Sequence, residues 1–313
     1  RLYMNAEVYT GTADWANAKL YAKKVIDSPY KLYTTKKGQW SAYQQLFMGD
    51  NGENGASVEA IFPILQDGLK TTSYGTTLYL MAGSNDNSEH IKSATVKGNN
   101  TTGGWAGNRM RPDLVLKFFP NNDAPNVAAY AMPAAADDDR ALFDGEGRNV
   151  SNGDDEKSVK VFTNGFSVCK FNNFKTDGTA GHNALFPDAD FFLMRAAEAY
   201  LMYAEADARQ NNGTTTAQGT AYINALRTRA NATTQTAYSL RQICDEWSRE
   251  FYFEGLRRTT LIRFGYFGGN VNYNWSWKGG VKSGRNFDSH LNLFPIPTSD
   301  MVANSNLIQN TGY

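Results

Sequence analysis

From Asp190 to Gln210 the apolar side chains Leu193, Ala196, Ala197, Tyr200 and Ala204 recur at helical spacing, and Asn211-Asn212-Gly213 then stops the pattern. Asp190 reads as the N-cap of this helix. A stripe built so largely of alanine allows another helix to pack close, and partners stand on both sides of it in sequence. Near the start, Leu2, Ala6 and Tyr9 share a face until Thr10-Gly11 breaks the pattern. Asp14 then opens a second helix carrying Trp15, Ala18, Ala22, Val25 and Ile26. Later, a short helix is expected from Thr216 to Arg229. Ser239-Leu-Arg-Gln242 is a capping box that starts another, bearing Ile243, Trp247 and Phe251. Short helices paired through small residues imply a mainly α chain with a tetratricopeptide-like scaffold, although no strict repeat period survives.

Between the two helical parts lies a long insertion, residues 31–189, that is rich in loops and short strands. Strands are expected at Glu59 to Leu65, Thr77 to Ala82, Val159 to Phe162 and Ser167 to Phe171, joined by Gly, Asn and Asp. The organisation is then a helical hairpin in 1–30, a ligand-binding insertion in 31–189 and a C-terminal helical scaffold with its tail in 190–313, all in one unit. Arg1 to Tyr9 is already helical in pattern, with no initiator Met, signal peptide or N-terminal cap, so these residues read as the later part of a longer polypeptide.

Charge narrows the function. Lys plus Arg equals Asp plus Glu, 31 of each, which leaves no electrostatic footprint for nucleic acid or an anionic membrane. No apolar run approaches the roughly 18 residues of a transmembrane helix. Cys169 and Cys244 form no metal-spaced pair and read as buried thiols.

Against this background Trp105 stands out. It lies in Gly98-Asn-Asn-Thr-Thr-Gly-Gly-Trp-Ala-Gly-Asn108, where no other large apolar side chain occurs. Such a segment reads as a surface loop that offers the indole outward. Tyr74, between Ser73 and Gly75, is presented in the same way. Two exposed flat rings without a basic cluster point to a carbohydrate; the alternative is a ring folded back on a neighbouring strand. Tyr273-Asn-Trp275-Ser-Trp277 places three more rings on one face of an extended segment, as a second sugar platform or, more simply, as packing.

Catalytic signatures are missing. The sequence has three histidines (His90, His182, His290) but no HExxH, GxSxG or Walker loop. A glycosidase carboxylate pair is not ruled out by inspection, but Asp137-Asp138-Asp139-Arg140 reads as a solvated loop or a cap anchoring Arg140. Asp50-Asn-Gly-Glu53-Asn54-Gly55 supplies hard oxygen ligands in a tight turn, with Glu59 soon after and Asp188 and Asp190 able to approach from elsewhere. It matches an EF-hand loop only in part, since Gly52 stands at position three and no Glu at position twelve. Structural calcium and plain turn chemistry are both open readings.

These residues also carry a resemblance. Asp190-Phe-Phe-Leu-Met-Arg195-Ala-Ala-Glu198-Ala-Tyr200-Leu-Met-Tyr-Ala-Glu205-Ala is similar to the R-x-A-E-x-Y-L-x-x-A-E-A helix of the SusD/RagB family, as is Ile223-Asn224-Ala-Leu226-Arg227-Thr-Arg229-Ala. Glu246-Trp-Ser-Arg-Glu250-Phe251-Tyr-Phe-Glu254-Gly255-Leu-Arg257-Arg258 with Leu261-Ile-Arg263-Phe264-Gly265 is a specific signature of it. Leu293-Phe294-Pro295-Ile296-Pro297 and the ending to Tyr313 resemble its C-terminus. The resemblance implies a non-enzymatic, glycan-binding lipoprotein on the outer membrane of Bacteroidetes. Its partner would be a SusC-like TonB-dependent transporter, with the anchor and signal peptide outside this chain. Within the family the likeness is to its starch-binding founder, which implies starch or maltooligosaccharide as ligand. Gln66 to Gly75 and Asn100 to Trp105 resemble the segments that bear the founder's aromatic arc, and Trp275 to Gly280 also matches. The same likeness associates Asp50 and Asp188 with calcium, although the acidic turn here is one residue shorter. A SusD-like binder of another glycan, or a transporter-docking scaffold with no sugar site, are the alternatives.

Overall fold

The structure is a computed structural model that describes residues 1–150 and 161–313. The chain separates into two compact units, Arg1–Glu254 and Gly255–Tyr313.

In the first unit a 3-10 turn at Tyr3–Asn5 runs into helix α1 (Ala6–Thr10), which ends at Gly11 with a left-handed φ of 74°. Helix α2 (Trp15–Ile26) starts where expected, the Asp14 carboxylate accepting the Asn17 backbone N–H at 3.2 Å. There follow α3 (Ala42–Gln45), strand β1 (Ala60–Ile64), α4 (Thr76–Ala82), α5 (Pro112–Val115), α6 (Met132–Ala135) and the two-residue strands β2 (Phe143–Asp144) and β3 (Ser167–Val168). Strand β4 (Phe191–Arg195) leads into α7 (Ala196–Gln210), α8 (Ala217–Arg229) and α9 (Leu240–Phe251). The scaffold is mainly helical and tetratricopeptide-like.

Small side chains do what their spacing requires. Helix α2 lies on α7 through Ala22, Ile26, Ala199 and Tyr203, continued by Met4, Ala18 and Ala206. Helices α7 and α8 meet at Gly219, where a Cβ would fall 2.4 Å from Asp207 Oδ2. The buried Asp207 carboxylate accepts Lys19 Nζ at 2.6 Å from α2, and Thr216 N and Oγ1 at 2.7 and 2.8 Å. One side chain thus caps α8 and ties three helices together. The Ser239–Gln242 capping box forms as expected.

Other expectations are corrected. Asp190 is not an N-cap: Phe191–Arg195 is a strand antiparallel to β1, with Ala60 opposite Arg195 and Ile64 opposite Phe191, so α7 begins only after Arg195. Two adjacent phenylalanines suit a pleated, half-buried strand, and pairing overrides the helical pattern. Thr77 to Ala82 is not a strand but helix α4, with Thr77, Leu78, Met81 and Ala82 buried on its inner face; a short apolar run does not declare its period. The strand at Glu59 to Leu65 is present as β1. That at Ser167 to Phe171 shrinks to Ser167–Val168, paired with β2. Of Val159 to Phe162, the first two residues lie outside the described residues, and Val161 and Phe162 are not strand.

The interior of this unit is unusual for its charge. Arg195 is fully buried and donates to Glu254 (2.7 and 2.9 Å), Glu59 (2.8 Å) and Glu250 (2.7 Å). Arg229 bonds Glu59 at 3.1 Å and also Glu250. Arg140 bonds Asp138 at 2.7 and 2.8 Å and Glu246 at 2.6 Å. Lys170 donates to Glu254 at 2.6 Å and to the Tyr252 carbonyl at 2.8 Å. The arginines hold the Glu246 and Glu250 carboxyls well below the usual range against the opposing effect of burial, Glu250 at about 2. Burial pushes Lys170 down to about 8, although Glu254 opposes it. One reading falls here and one is decided. Glu59 belongs to this knot and not to a metal turn. Of the 137–139 run, Asp137 is exposed while the buried Asp138 anchors Arg140, as the second of the two expected roles has it. Cys169 and Cys244 are buried thiols.

The second unit contains α10 (Arg257–Arg263) and α11 (Thr298–Ala303). Its aromatic ladder packs inward. Tyr273 stacks on Tyr266 at 4.6 Å and 8°, and Trp275 lies on Phe267 at 6.1 Å and 24° and meets Phe287 edge-on at 6.4 Å. Trp277 has φ 68°, so the segment is not extended throughout.

Candidate functional site

Tyr74 and Trp105, 31 residues apart in sequence, come together on the surface of the first unit. Their ring centroids are 6.2 Å apart and their planes are tilted by 39°. They remain 61% and 45% exposed. Neither ring is folded away. Tyr79 joins them from helix α4, 6.5 Å from Trp105 and 52% exposed, and the half-buried Phe186 meets Tyr74 edge-on at 5.3 Å.

The backbone around Trp105 is firmly placed. Trp105 N donates to Ala82 O at 2.7 Å, Ala106 N to Asn85 O at 3.0 Å and Asn108 N to Gly83 O at 2.8 Å. A helix end leaves carbonyls without partners, and this loop takes up those at the end of α4. Asn99 closes the turn from inside, donating to Asn85 Oδ1 at 2.9 Å and accepting Thr101 N at 2.8 Å. Close approach explains the glycines: a Cβ at Gly104 would lie 2.9 Å from Asn87 Nδ2 and from the Asp86 carbonyl carbon. Thr102 N donates to Ala184 O at 2.7 Å, which links the loop to the segment bearing Phe186. Left-handed backbone follows each ring, at Thr76 two residues after Tyr74 (φ 49°) and at Ala106 directly after Trp105 (φ 58°). For a β-branched residue this is costly, and such strain concentrates at sites where geometry matters more than comfort.

At the Gln66–Asp67 end of the segment that leads to Tyr74 lies an acidic cavity of about 90 Å³, lined also by Asp50, Gly52, Glu53, Lys175, His182, Asp188 and Asp190. Asp188 Oδ1 accepts Gly68 N at 2.9 Å and pairs with His182 Nδ1 at 3.0 Å, and its Oδ2 accepts His182 N at 2.9 Å. Asp190 Oδ1 accepts Gln66 N at 2.7 Å. Asp50 Oδ2 accepts the Thr176 backbone N–H at 2.9 Å and the Thr176 hydroxyl. Burial raises the Asp190 carboxyl, as do Glu53 and Asp188 nearby, while the bond from Gln66 opposes them. Gly52 has a reason of its own, since a Cβ there would sit 2.9 Å from Asp190 Oδ2. Carboxylates that crowd one small cavity and repel each other fit a hard divalent cation. Among the described residues, potential ligand atoms converge within 4.8 Å of one another at Asp67, His182 and Asp188, which line this same cavity. A wider opening of about 500 Å³, lined by Pro63, Leu65, Gln66, Lys70 and Phe192 among others, carries none of the exposed rings.

The profile of the SusD family matches residues 58–313. The chain belongs to the SusD family. It is 41% identical, over its whole length, to the Starch-binding protein SusD of Bacteroides thetaiotaomicron, and spans 58% of that protein. Two solved structures share the fold. A SusD superfamily protein from Parabacteroides distasonis aligns with TM-score 0.55 and 18% identity, over 96% of this chain and 57% of that one. Surface glycan-binding protein A from Bacteroides thetaiotaomicron, in complex with laminarihexaose, aligns with TM-score 0.58 and 20% identity, over 99% and 62%. The chain thus covers less than two thirds of each.

For this SusD family member the sequence-derived site residues fall into two neighbouring groups, Tyr74 with Trp105 and Asp50 with Asp188. The backbone of Gln66 and Gly68, held by Asp190 and Asp188, joins them. Sequence reading missed Tyr79, because it sat in an expected strand; a helical reading of Thr76 to Ala82 would have set it opposite Leu78, Met81 and Ala82. Phe186 carried no comparable signal.

Proposed function

We propose that Tyr74 and Trp105 form the binding face for a surface glycan, specifically an α-1,4-glucan such as starch or a maltooligosaccharide, which is bound and not cleaved. The pair itself carries the reading: two exposed rings, 6.2 Å apart, tilted by 39° on hydrogen-bonded backbone. Each ring can lie against the apolar face of a sugar, and a tilt between neighbours suits a curved chain. By analogy with aromatic pairs, each stack contributes about 1 kcal/mol beyond the area it buries. Family membership and the 41% identity to a protein named for starch binding support the choice of ligand. In this reading the protein is an outer-membrane lipoprotein at the cell surface that passes glycan to a SusC-like TonB-dependent transporter. Among the described residues no helix is long and apolar enough to cross a membrane.

The test is affinity electrophoresis of the full-length protein in amylopectin. The parent is retarded, and the Tyr74→Ala, Trp105→Ala double variant migrates as in a sugar-free gel; equal retardation of the two defeats the proposal. A panel of α- and β-glucans separates starch from another glycan, the laminarihexaose bound by the relative being one useful member. Titration with maltoheptaose giving no heat favours a docking scaffold, and release of reducing ends from polysaccharide indicates a hydrolase.

We further infer that Asp50, Glu53, Asp188 and Asp190 would hold calcium. The ion would supply positive charge to a cluster that repels itself. This chain's own part is to transmit order, since Asp188 and Asp190 accept the backbone N–H groups of the turn that leads to Tyr74. Calcium is expected to raise the melting temperature of the chelator-treated parent and not that of Asp188→Ala with Asp190→Ala; no shift in the parent removes the inference.

A further inference from the structure

Tyr79 has no need of the core. Helix α4 fills its inner face with Thr77, Leu78, Met81 and Ala82, all buried, while Tyr79 points outward with half its surface in solvent. Its ring is nevertheless not isolated: Trp105 is shared, 6.5 Å from Tyr79 and 6.2 Å from Tyr74. The Trp105 plane is tilted by 39° to that of Tyr74 and by 58° to that of Tyr79.

The two ring pairs differ in how they are held. Tyr79 and Trp105 are fixed to the same short helix, because Trp105 N and Ala106 N donate to Ala82 O and Asn108 N donates to Gly83 O, while Gly83 N donates to Tyr79 O. Tyr74 instead precedes the strained Thr76 and is placed through Gln66, whose Oε1 accepts the Thr76 hydroxyl at 2.9 Å, and through Phe186. An exposed phenol on a fixed helix, beside an exposed indole and with no packing duty, extends the apolar strip beyond the first two rings.

We propose that Tyr79 is a third sugar-contacting ring, which lets the platform discriminate glycan length by engaging a sugar residue that short oligosaccharides do not supply. This rests on the glycan reading of Tyr74 and Trp105. A short oligosaccharide laid on those two rings has no residue left for Tyr79, whereas a longer one continues onto it. Loss of the ring therefore acts on long ligands selectively.

The experiment is isothermal titration of the full-length parent, Tyr79→Ala, Tyr79→Phe and the Tyr74→Ala, Trp105→Ala double variant with maltotriose and maltoheptaose. Tyr79→Ala is expected to weaken maltoheptaose about 5-fold, as one aromatic stack of about 1 kcal/mol converts. It should leave maltotriose within about 2-fold, and Tyr79→Phe, which keeps the ring, should restore parental affinity. Unchanged maltoheptaose affinity in Tyr79→Ala, with binding lost in the double variant, overturns the third ring and leaves the two-ring site standing. Equal loss for both sugars overturns it as well, because Tyr79 would then act only by supporting Trp105. Parental binding by the double variant overturns the site and this inference together. Matching circular dichroism melts of parent and Tyr79→Ala keep a folding defect out of the comparison.

Discussion

The charged knot at the heart of the helices and the ring platform on the loops reverse the usual distribution of residue types. Arg140, Arg195, Arg229, Lys170 and their carboxylates are buried, and Tyr74, Tyr79 and Trp105 are in solvent. What separates the two regions is the supply of complements. Each knot cation reaches an acidic side chain within about a hydrogen bond's length, so burial leaves no charge stranded. Tyr74 and Trp105 sit where polar loop residues use their hydrogen bonds on backbone and leave the ring's face to something outside, and Tyr79 stands on the outer face of α4, opposite its buried side chains. The contrast with Tyr273 and Trp275 makes the same point, since those rings have Tyr266, Phe267 and Phe287 to pack on.

If the comparison holds, the knot answers for stability and the platform for binding. The largest effect is expected from Arg195→Met, which strands Glu59, Glu250 and Glu254. Removing one partner of a buried pair typically costs about 3–5 kcal/mol, so denaturant titration should show most of the stability gone. A loss below about 1 kcal/mol would mean that water reaches the knot. Acid should act next. Glu250 falls from 4.5 to about 2 in the folded state. A depressed carboxylate gives stability that is fully present above its unfolded pKa and is lost as pH falls through the folded one. The window therefore runs from about pH 4.5 down to about 2, with about 3 kcal/mol at stake from this group at about 1.4 kcal/mol per tenfold. Melting curves across that range check it, and Glu250→Gln, destabilised throughout, should show a flatter acid limb.

Much of the scaffold was readable because its signals are local. The Asp14 cap, the Ser239–Gln242 box and the Asn211 stop each lie within a few residues of the helix they bound. The knot was not readable, since Arg195 and Glu59 are 136 residues apart and nothing near either names the other. The same holds for β4, whose pairing with β1 decides its state. On the platform, Tyr74 and Trp105 were visible because their neighbours are small and polar. Tyr79 was hidden by apolar neighbours whose period seven residues do not reveal. At the acidic cavity Gly52 looked like a missing ligand; in three dimensions it is the space that admits Asp190.

The smaller effects test the platform side. Gly104→Ala drives a Cβ against Asn87 and the Asp86 backbone. Because Asn87 Nδ2 also bonds Thr101 O at 3.2 Å, relief should come by moving the loop. We expect about 1–2 kcal/mol of destabilisation and a matching drop in glycan affinity, read by melting and titration. The smallest stability change is expected from Trp105→Ala. The backbone bonds of residue 105 to α4 survive the substitution, and an exposed ring leaves no cavity, so stability should stay within about 0.5 kcal/mol of the parent. Glycan affinity should nevertheless fall about 5-fold or more for one lost stack. A Trp105→Ala protein that melts early and binds normally would move the indole from the platform to the core, and the division between the two regions would fail at its most exposed point.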